Sequence, residues 1–335
     1  MGDHAIWVEG LVKRYGELVA LSGIDFEARQ GAVFGLLGPN GSGKTTAIRI
    51  LSTILQPDGG RAEVLGKDVV HEPEAVRRRI GLAGQYAAVD ANLTGRENLR
   101  MVGVLGQMPT ADIMPRASEL LDKFELTDAA DRPLRTYSGG MRRRLDIAAS
   151  LVTRPPVLFL DEPTTGLDLT SRNALWSTIE QLVADGTTVL LTTQYLEEAD
   201  RLAERIVVLD VGRVIASDTP ANLKAQLGST VVEMRFDADG GSERALGLLA
   251  GTVNGKVERD EDTLLITSQD GARILIDVLR TLDGNDLEPD ALTVREPSLD
   301  DVFLSLTGHH AESDQPDEPP AVAAKGRRGR RGGAV

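Results

Sequence analysis

The chain has no cysteine, few aromatic residues and a deficit of positive charge, and each shortage removes a class of answer. Without cysteine among 335 residues there is no disulfide framework and no thiolate metal site, a condition that fits any compartment. Aromatics make up 4% of a chain that is 41% hydrophobic, so alanine, valine and leucine must carry the packing of a sizeable core. The formal charge of −14 opposes general nucleic-acid binding, because affinity for phosphate backbones rests on clustered Lys and Arg. No stretch approaches the ~18 apolar residues that span a bilayer. The start, "MGDHAIWVEG", lacks the basic and apolar segments of a signal peptide. The expectation is a soluble cytoplasmic protein of roughly two domains, reaching a membrane only through a partner.

What is present is a loop, "GPNGSGKTT", made of Gly38, Pro39, Asn40, Gly41, Ser42, Gly43, Lys44, Thr45 and Thr46. It follows "AVFGLL", a short non-alternating apolar run of the kind a buried parallel strand shows. It precedes "TTAIRILSTIL", where Ile48, Leu51 and Leu55 recur at helical spacing. The string fits G-x-x-x-x-G-K-[ST] in its strand–loop–helix setting. Glycines there let backbone N–H groups approach an anion. Lys44 is expected to reach the β- and γ-phosphates and Thr45 to ligate Mg²⁺.

Alternating strand and helix patterns continue to about Leu227. "AIWVEGLVKRYG" and "LVALSGIDFEARQG" read as an antiparallel pair. "VLFLDE" and "TTVLLTT" read as central parallel strands. "SRNALWSTIEQLVADG" reads as a helix ending at Asp185-Gly186, and "RIVVLDVGRVIASD" as a closing hairpin. Residues 85–153 are richer in helical pattern and form a helical lobe. From 228 to 308 the order β-α-β-β-α-β plus a helix, with Ser298 as its N-cap, matches a ferredoxin-like unit. Residues 309–335 are rich in proline, glycine and charge and read as a disordered tail, acidic first and basic last.

A nucleotide site needs a second, acidic element, and "VLFLDEP" supplies it: a strand carries Asp161 to its carboxyl end, where it can hold Mg²⁺. Glu162 follows, placed to orient or deprotonate a water. "YSGGMRRRLDIAAS" adds a second anion cradle at a helix start, from Ser138, Gly139, Gly140 and Met141. One chain has no use for two cradles on one phosphate, whereas two copies facing head-to-tail use both. Arg142, Arg143 and Arg144 behind it read as a solvated helix face.

With this combination, residues 1 to about 227 resemble the ATP-binding subunit of ABC transporters. The resemblance implies further roles: Tyr15 stacks on adenine, Gln85 contacts metal and attacking water, and Asp168 in "TTGLD" touches the opposite subunit. Two positions depart from the family pattern. Met141 stands where the signature usually ends in glutamine, and Gln194 where a phosphate-sensing histidine is expected. Glutamine can donate a hydrogen bond to a γ-phosphate but cannot carry charge. These departures, with "LLTTQYLEEADRLAERI" and the terminal "EPSLDDVFLSLTG", are similar to the daunorubicin-resistance branch, over about residues 1–308.

The resemblance thus implies a P-loop α/β core with a helical subdomain, plus a small α+β domain and a tail. It implies an ATPase using ATP and Mg²⁺, homodimeric at the cytoplasmic face of the cell membrane. It would serve a separately encoded membrane-spanning permease that exports a hydrophobic drug or lipid, with no nucleic-acid partner. The rival is a non-transport ABC ATPase acting on ribosome or DNA. Only the basic run "KGRRGRR" favours it, and that run reads first as a solvated disordered end with no role, and next as a segment held near anionic lipids.

Overall fold

The structure, a computed structural model, describes residues 4–84, 89–228, 230–236, 241–269 and 273–307. Gln85 and the tail from residue 308 onward, including "KGRRGRR", lie outside them. The chain begins with β1 (His4–Tyr15) and β2 (Leu18–Arg29), antiparallel as expected. Then come β3 (Val33–Leu37) and α1 (Lys44–Leu51). Two short strands, β4 (Gly59–Val64) and β5 (Lys67–Asp68), complete a sheet of order β2-β1-β4-β5. After α2 (Pro73–Arg77) and β6 (Ile80–Ala83), the helical lobe supplies α3 (Gly95–Leu105), α4 (Thr110–Lys123) and α5 (Gly139–Ser150).

The chain returns through β7 (Val157–Asp161), α6 (Leu169–Ala184), β8 (Thr188–Thr193), α7 (Leu196–Leu202), β9 (Arg205–Asp210), β10 (Arg213–Asp218) and α8 (Pro220–Leu227). The central sheet runs β10-β9-β3-β8-β7-β6, parallel throughout except for the closing β9–β10 hairpin. Every residue of β3, β7 and β8 is buried, the physical reason those strands read as continuous apolar runs. One apolar cluster fills the space between this sheet, α1 and the antiparallel sheet. A second covers its other face and continues into the lobe, joining Leu158 and Leu191 to Leu120, Phe124 and Leu145.

The first helix is shorter than its periodicity predicts. It stops at Leu51 instead of running on to Leu55. Thr53 turns left-handed (φ 64°), its N–H bonding to Ile50 O, while the Ile54 N–H returns to Arg49 O. That paired termination usually falls on glycine, so no sequence signal announced it.

The second unit comprises β11 (Thr230–Arg235), α9 (Gly241–Leu249), β12 (Lys256–Asp260), β13 (Thr263–Ser268), α10 (Arg273–Asp283) and β14 (Ala291–Arg295). Its sheet order, β12-β13-β11-β14, is antiparallel throughout and is the ferredoxin-like arrangement. The last helix, α11 (Leu299–Thr307), opens at Ser298, whose Oγ accepts from the Asp301 N–H. The Asp301 carboxylate in turn accepts from the Ser298 N–H, a reciprocal cap. Its Leu299, Val302 and Phe303 do not join the apolar core of the second unit. They pack into the large cluster of the first, beside α7 and α8.

Candidate functional site

Three neighbouring strands of the parallel sheet, β3, β8 and β7, release their side chains at the same carboxyl edge. This is where open α/β sheets bind ligands. After β3 the chain enters the glycine loop. Gly38 takes φ 151° and its missing Cβ would meet Leu209 O; Gly43 takes φ 109° and a Cβ there would come within 2.6 Å of Ala20 O. Both approaches are to backbone that cannot swing away, so the loop path requires glycine at these two positions. Lys44 begins α1 almost wholly buried, its Nζ donating to Gly38 O at 2.6 Å and Pro39 O at 3.0 Å. Its ammonium is thereby folded across the mouth of its own loop.

β7 carries Asp161, and β8 pairs Thr192 directly opposite it. The Thr192 hydroxyl donates to Asp161 Oδ1 at 2.6 Å, and Thr45 Oγ1 donates to the same oxygen at 3.2 Å. Glu162 follows with a left-handed backbone (φ 48°). Its N–H is shared between Thr192 O and Thr192 Oγ1, both at 3.1 Å, and its Oε1 lies 4.0 Å from Lys44 Nζ. Residues from three parts of the sequence thus meet: Lys44 and Thr45, Asp161 and Glu162, and Thr192. Gln194 follows β8, and its Oε1 is buried with no hydrogen-bond partner. Ser42 Oγ, within the loop, is likewise buried and unpartnered. The orphaned Ser42 hydroxyl, which can donate, and a cluster of hard oxygens around one carboxylate are what a phosphate with its cation would satisfy.

The remaining expected residues have neighbours of their own. Tyr15 ends β1 with 45% of its surface exposed, and the Lys13 ammonium stands 5.8 Å from its ring centre. Ser138 caps α5, its Oγ accepting from the Met141 N–H at 3.3 Å. A Cβ on Gly140 would reach 2.9 Å from Ser171 Oγ, so the signature turn abuts the start of α6. Asp168 caps that helix, accepting from the Ser171 N–H and hydroxyl. These bonds hold its carboxyl below the usual carboxylate range.

The three arginines of α5 are not a solvated face. Only Arg142 is exposed. Arg144 donates to Phe124 O and Glu125, tying α5 to the end of α4. Arg143 keeps 12% of its side chain exposed and is bonded to the core. The reason is helical register: Arg143 shares a face with Asp146 and Ile147, three and four residues on, both buried. Thr192 was also missed as a site residue. Its signal was a hydroxyl at the end of a strand buried on both faces, which demands a partner.

A glycine loop feeding a helix, with a strand-borne carboxylate on the loop's threonine, is the nucleotide site of a P-loop nucleoside triphosphatase. Residues 21–165 match the ABC transporter family. A daunorubicin resistance ATP-binding protein from Streptomyces coeruleorubidus is 52% identical over 95% of this chain and 99% of its own length. A daunorubicin/doxorubicin resistance ATP-binding protein from Streptomyces peucetius is 51% identical over 94% of this chain and 96% of its own. A solved dimeric ATP-binding cassette in a post-hydrolysis state with ADP and Pi is 26% identical, with a TM-score of 0.59, covering 64% of this chain and 98% of that one. The chain belongs to the ATP-binding proteins of ABC transporters, in the daunorubicin/doxorubicin resistance group. It is an ATPase, and the ribosome- or DNA-acting alternative is not favoured. Among the described residues no helix is long and apolar enough to cross a membrane.

Proposed function

We propose that two copies of this chain enclose two ATP molecules and hydrolyse them to drive a separately encoded membrane-spanning permease. The observation that carries this reading is the meeting of Lys44, Thr45, Asp161, Glu162 and Thr192 at one sheet edge. Residues 38–46 cradle the phosphates through main-chain N–H groups, and Lys44 exchanges its loop carbonyls for phosphate oxygens. Tyr15, exposed at a strand end, stacks on the base. Glu162 orients the attacking water and accepts its proton as the oxygen bonds to the γ-phosphorus and ADP departs with the β–γ bridging oxygen. Gln194 donates its amide to the γ-phosphate, and Gln85 contacts the same water. Thr45 and Asp161 are the oxygen donors that would hold Mg²⁺, which supplies charge neutralisation on the phosphates when bound. Ser138, Gly139, Gly140 and Met141 face the nucleotide of the other copy, and Asp168 touches that copy's loop.

Residues 1–227 form the nucleotide-binding domain and 228–308 an accessory domain in this reading. The cargo is a hydrophobic drug or lipid, a reading supported by the relatives that confer daunorubicin resistance. The chain works at the inner face of the cell membrane, held there by the permease. Glu162→Gln tests the assignment: it removes the proton acceptor and keeps the shape. Hydrolysis should fall by at least about 100-fold while ATP binding persists. An ATP-dependent dimer should accumulate in light scattering. Wild-type turnover in this variant overturns the role of Glu162.

A further inference from the structure

Arg143 departs furthest from what its place in the sequence implies. It lies on α5, five residues beyond Ser138, and its guanidinium leaves the helical lobe to enter the parallel core. Its Nε donates to Pro163 O at 2.9 Å and its Nη2 to Asp161 O at 3.1 Å. Its Nη1 donates to Gly84 O at 2.5 Å and to Asp146 Oδ2 at 3.3 Å. Two of these carbonyls belong to the residues immediately before and after Glu162. The third closes the strand that leads into Gln85. Burial draws the guanidinium below its ordinary value, while Asp146, Asp161, Glu198 and Glu162 push it back up. It remains a cation at neutral pH.

We propose that Arg143 is a positioning residue for hydrolysis. It fixes the main chain on both sides of Glu162 to the signature helix, so that the base takes up its working position only when α5 is seated. This rests on reading Glu162 as the group that handles the attacking water. Glu162 occupies a left-handed conformation that a non-glycine residue adopts at a cost, so its turn must be held from outside. β8 holds it by the N–H through Thr192, and Arg143 holds it by the flanking carbonyls from the opposite element. Because Ser138 and Arg143 lie on one helix, movement of the signature is transmitted to this chain's own Glu162. A planar fork serves four acceptors on three segments here, which a single ammonium cannot reproduce.

The test is a mutant cycle on the full-length chain, with turnover scaled to the fraction that binds a fluorescent ATP analogue. Arg143→Gln should lower kcat on the order of 10- to 100-fold, the range expected when a reacting group is displaced by about an ångström. KM and analogue affinity should stay within about twofold, because no phosphate-loop residue is touched. Arg143→Lys, the milder change, should lie nearer to Arg143→Gln than to the parent. In the Glu162→Gln background, adding Arg143→Gln should lower residual single-turnover hydrolysis by less than about twofold, since its effect runs through Glu162. A general structural role predicts the opposite. An equal fractional loss in both backgrounds overturns the proposal, as does a loss of analogue affinity matching the loss of kcat or an Arg143→Lys variant with parental kcat. Failure of the Glu162 assignment is visible separately, in the Glu162→Gln single variant.

Discussion

Thr192→Val is the sharpest perturbation the site offers, because it removes one hydroxyl from a fully buried position and keeps the side-chain shape. That hydroxyl donates to Asp161 Oδ1 at 2.6 Å, a short bond to a carboxylate, and such bonds contribute about 1.5–3 kcal/mol. Its second bond, from the Glu162 N–H, is shared with Thr192 O at the same 3.1 Å, so its loss costs little. The added methyl returns up to about 0.8 kcal/mol. The net loss is about 1–2 kcal/mol, or roughly 2–8 °C in the melting temperature of a unit this size. If the same interaction holds Asp161 and the Glu162 turn in working geometry, kcat should fall about 5- to 30-fold. Thr192→Ser separates the two effects: it keeps the hydroxyl and loses a methyl. It should lose comparable stability, about 1 kcal/mol, and retain hydrolysis. Differential scanning fluorimetry without nucleotide and phosphate release across a Mg²⁺ titration provide the readouts. A valine variant with parental turnover and parental Mg²⁺ dependence refutes the reasoning, and so does a serine variant as slow as valine.

Gln194→His should be tolerated and should introduce a pH dependence between pH 6 and 8, because imidazole titrates there; superimposable rate profiles for parent and variant remove Gln194 from the γ-phosphate. Gly43→Ala should abolish ATP-analogue binding, since its Cβ would press on Ala20 O at 2.6 Å; normal affinity would show that the loop can shift. At the start of α11, burial pushes the Asp301 carboxyl up, but bonds from Arg295 and Ser298 more than reverse this and leave it below the usual carboxylate range. Its stabilising contribution is therefore complete above the unfolded value of about 3.9 and is lost as pH falls through the lower folded value. Asp301→Asn should cost about 2 kcal/mol at pH 7, and the gap in melting temperature should close as pH falls below about 4. A gap that widens in acid contradicts the assignment.

How much of this could be read from the sequence depended on whether the determining interaction was local. The phosphate loop was legible because glycine spacing, Lys44 and Thr45 act within a few residues. The strands bearing Asp161 and Thr192 were legible because burial on both faces writes an unbroken apolar run. The cap at Ser298 was legible because its partner is three residues away. By contrast, β4 and β5 were not anticipated: "GGRAEV" and "KD" are polar, and they are strands because β1 offers an edge to β4 and β4 in turn offers one to β5. The return of Leu299, Val302 and Phe303 to the first unit is equally nonlocal, since their helical spacing is blind to which core they enter.

Arg143 and Thr192 shared a deeper reason for escaping notice. Neither belongs to a loop that names a ligand, and each acts on the main chain of Glu162 from another element. A left-handed glutamate costs on the order of 1–2 kcal/mol before any chemistry is done, and it persists only where the surroundings over-determine it. Its N–H points to β8 and the neighbouring carbonyls to α5, so the sheet and the helical lobe must both be in place. In the proposed coupling, releasing either side would let the turn relax toward ordinary backbone angles and would carry the carboxylate away from Lys44, which lies 4.0 Å from it. If Glu162 handles the attacking water as proposed, hydrolysis is coupled to the seating of the lobe through the hydrogen bonds that hold the main chain around this one residue.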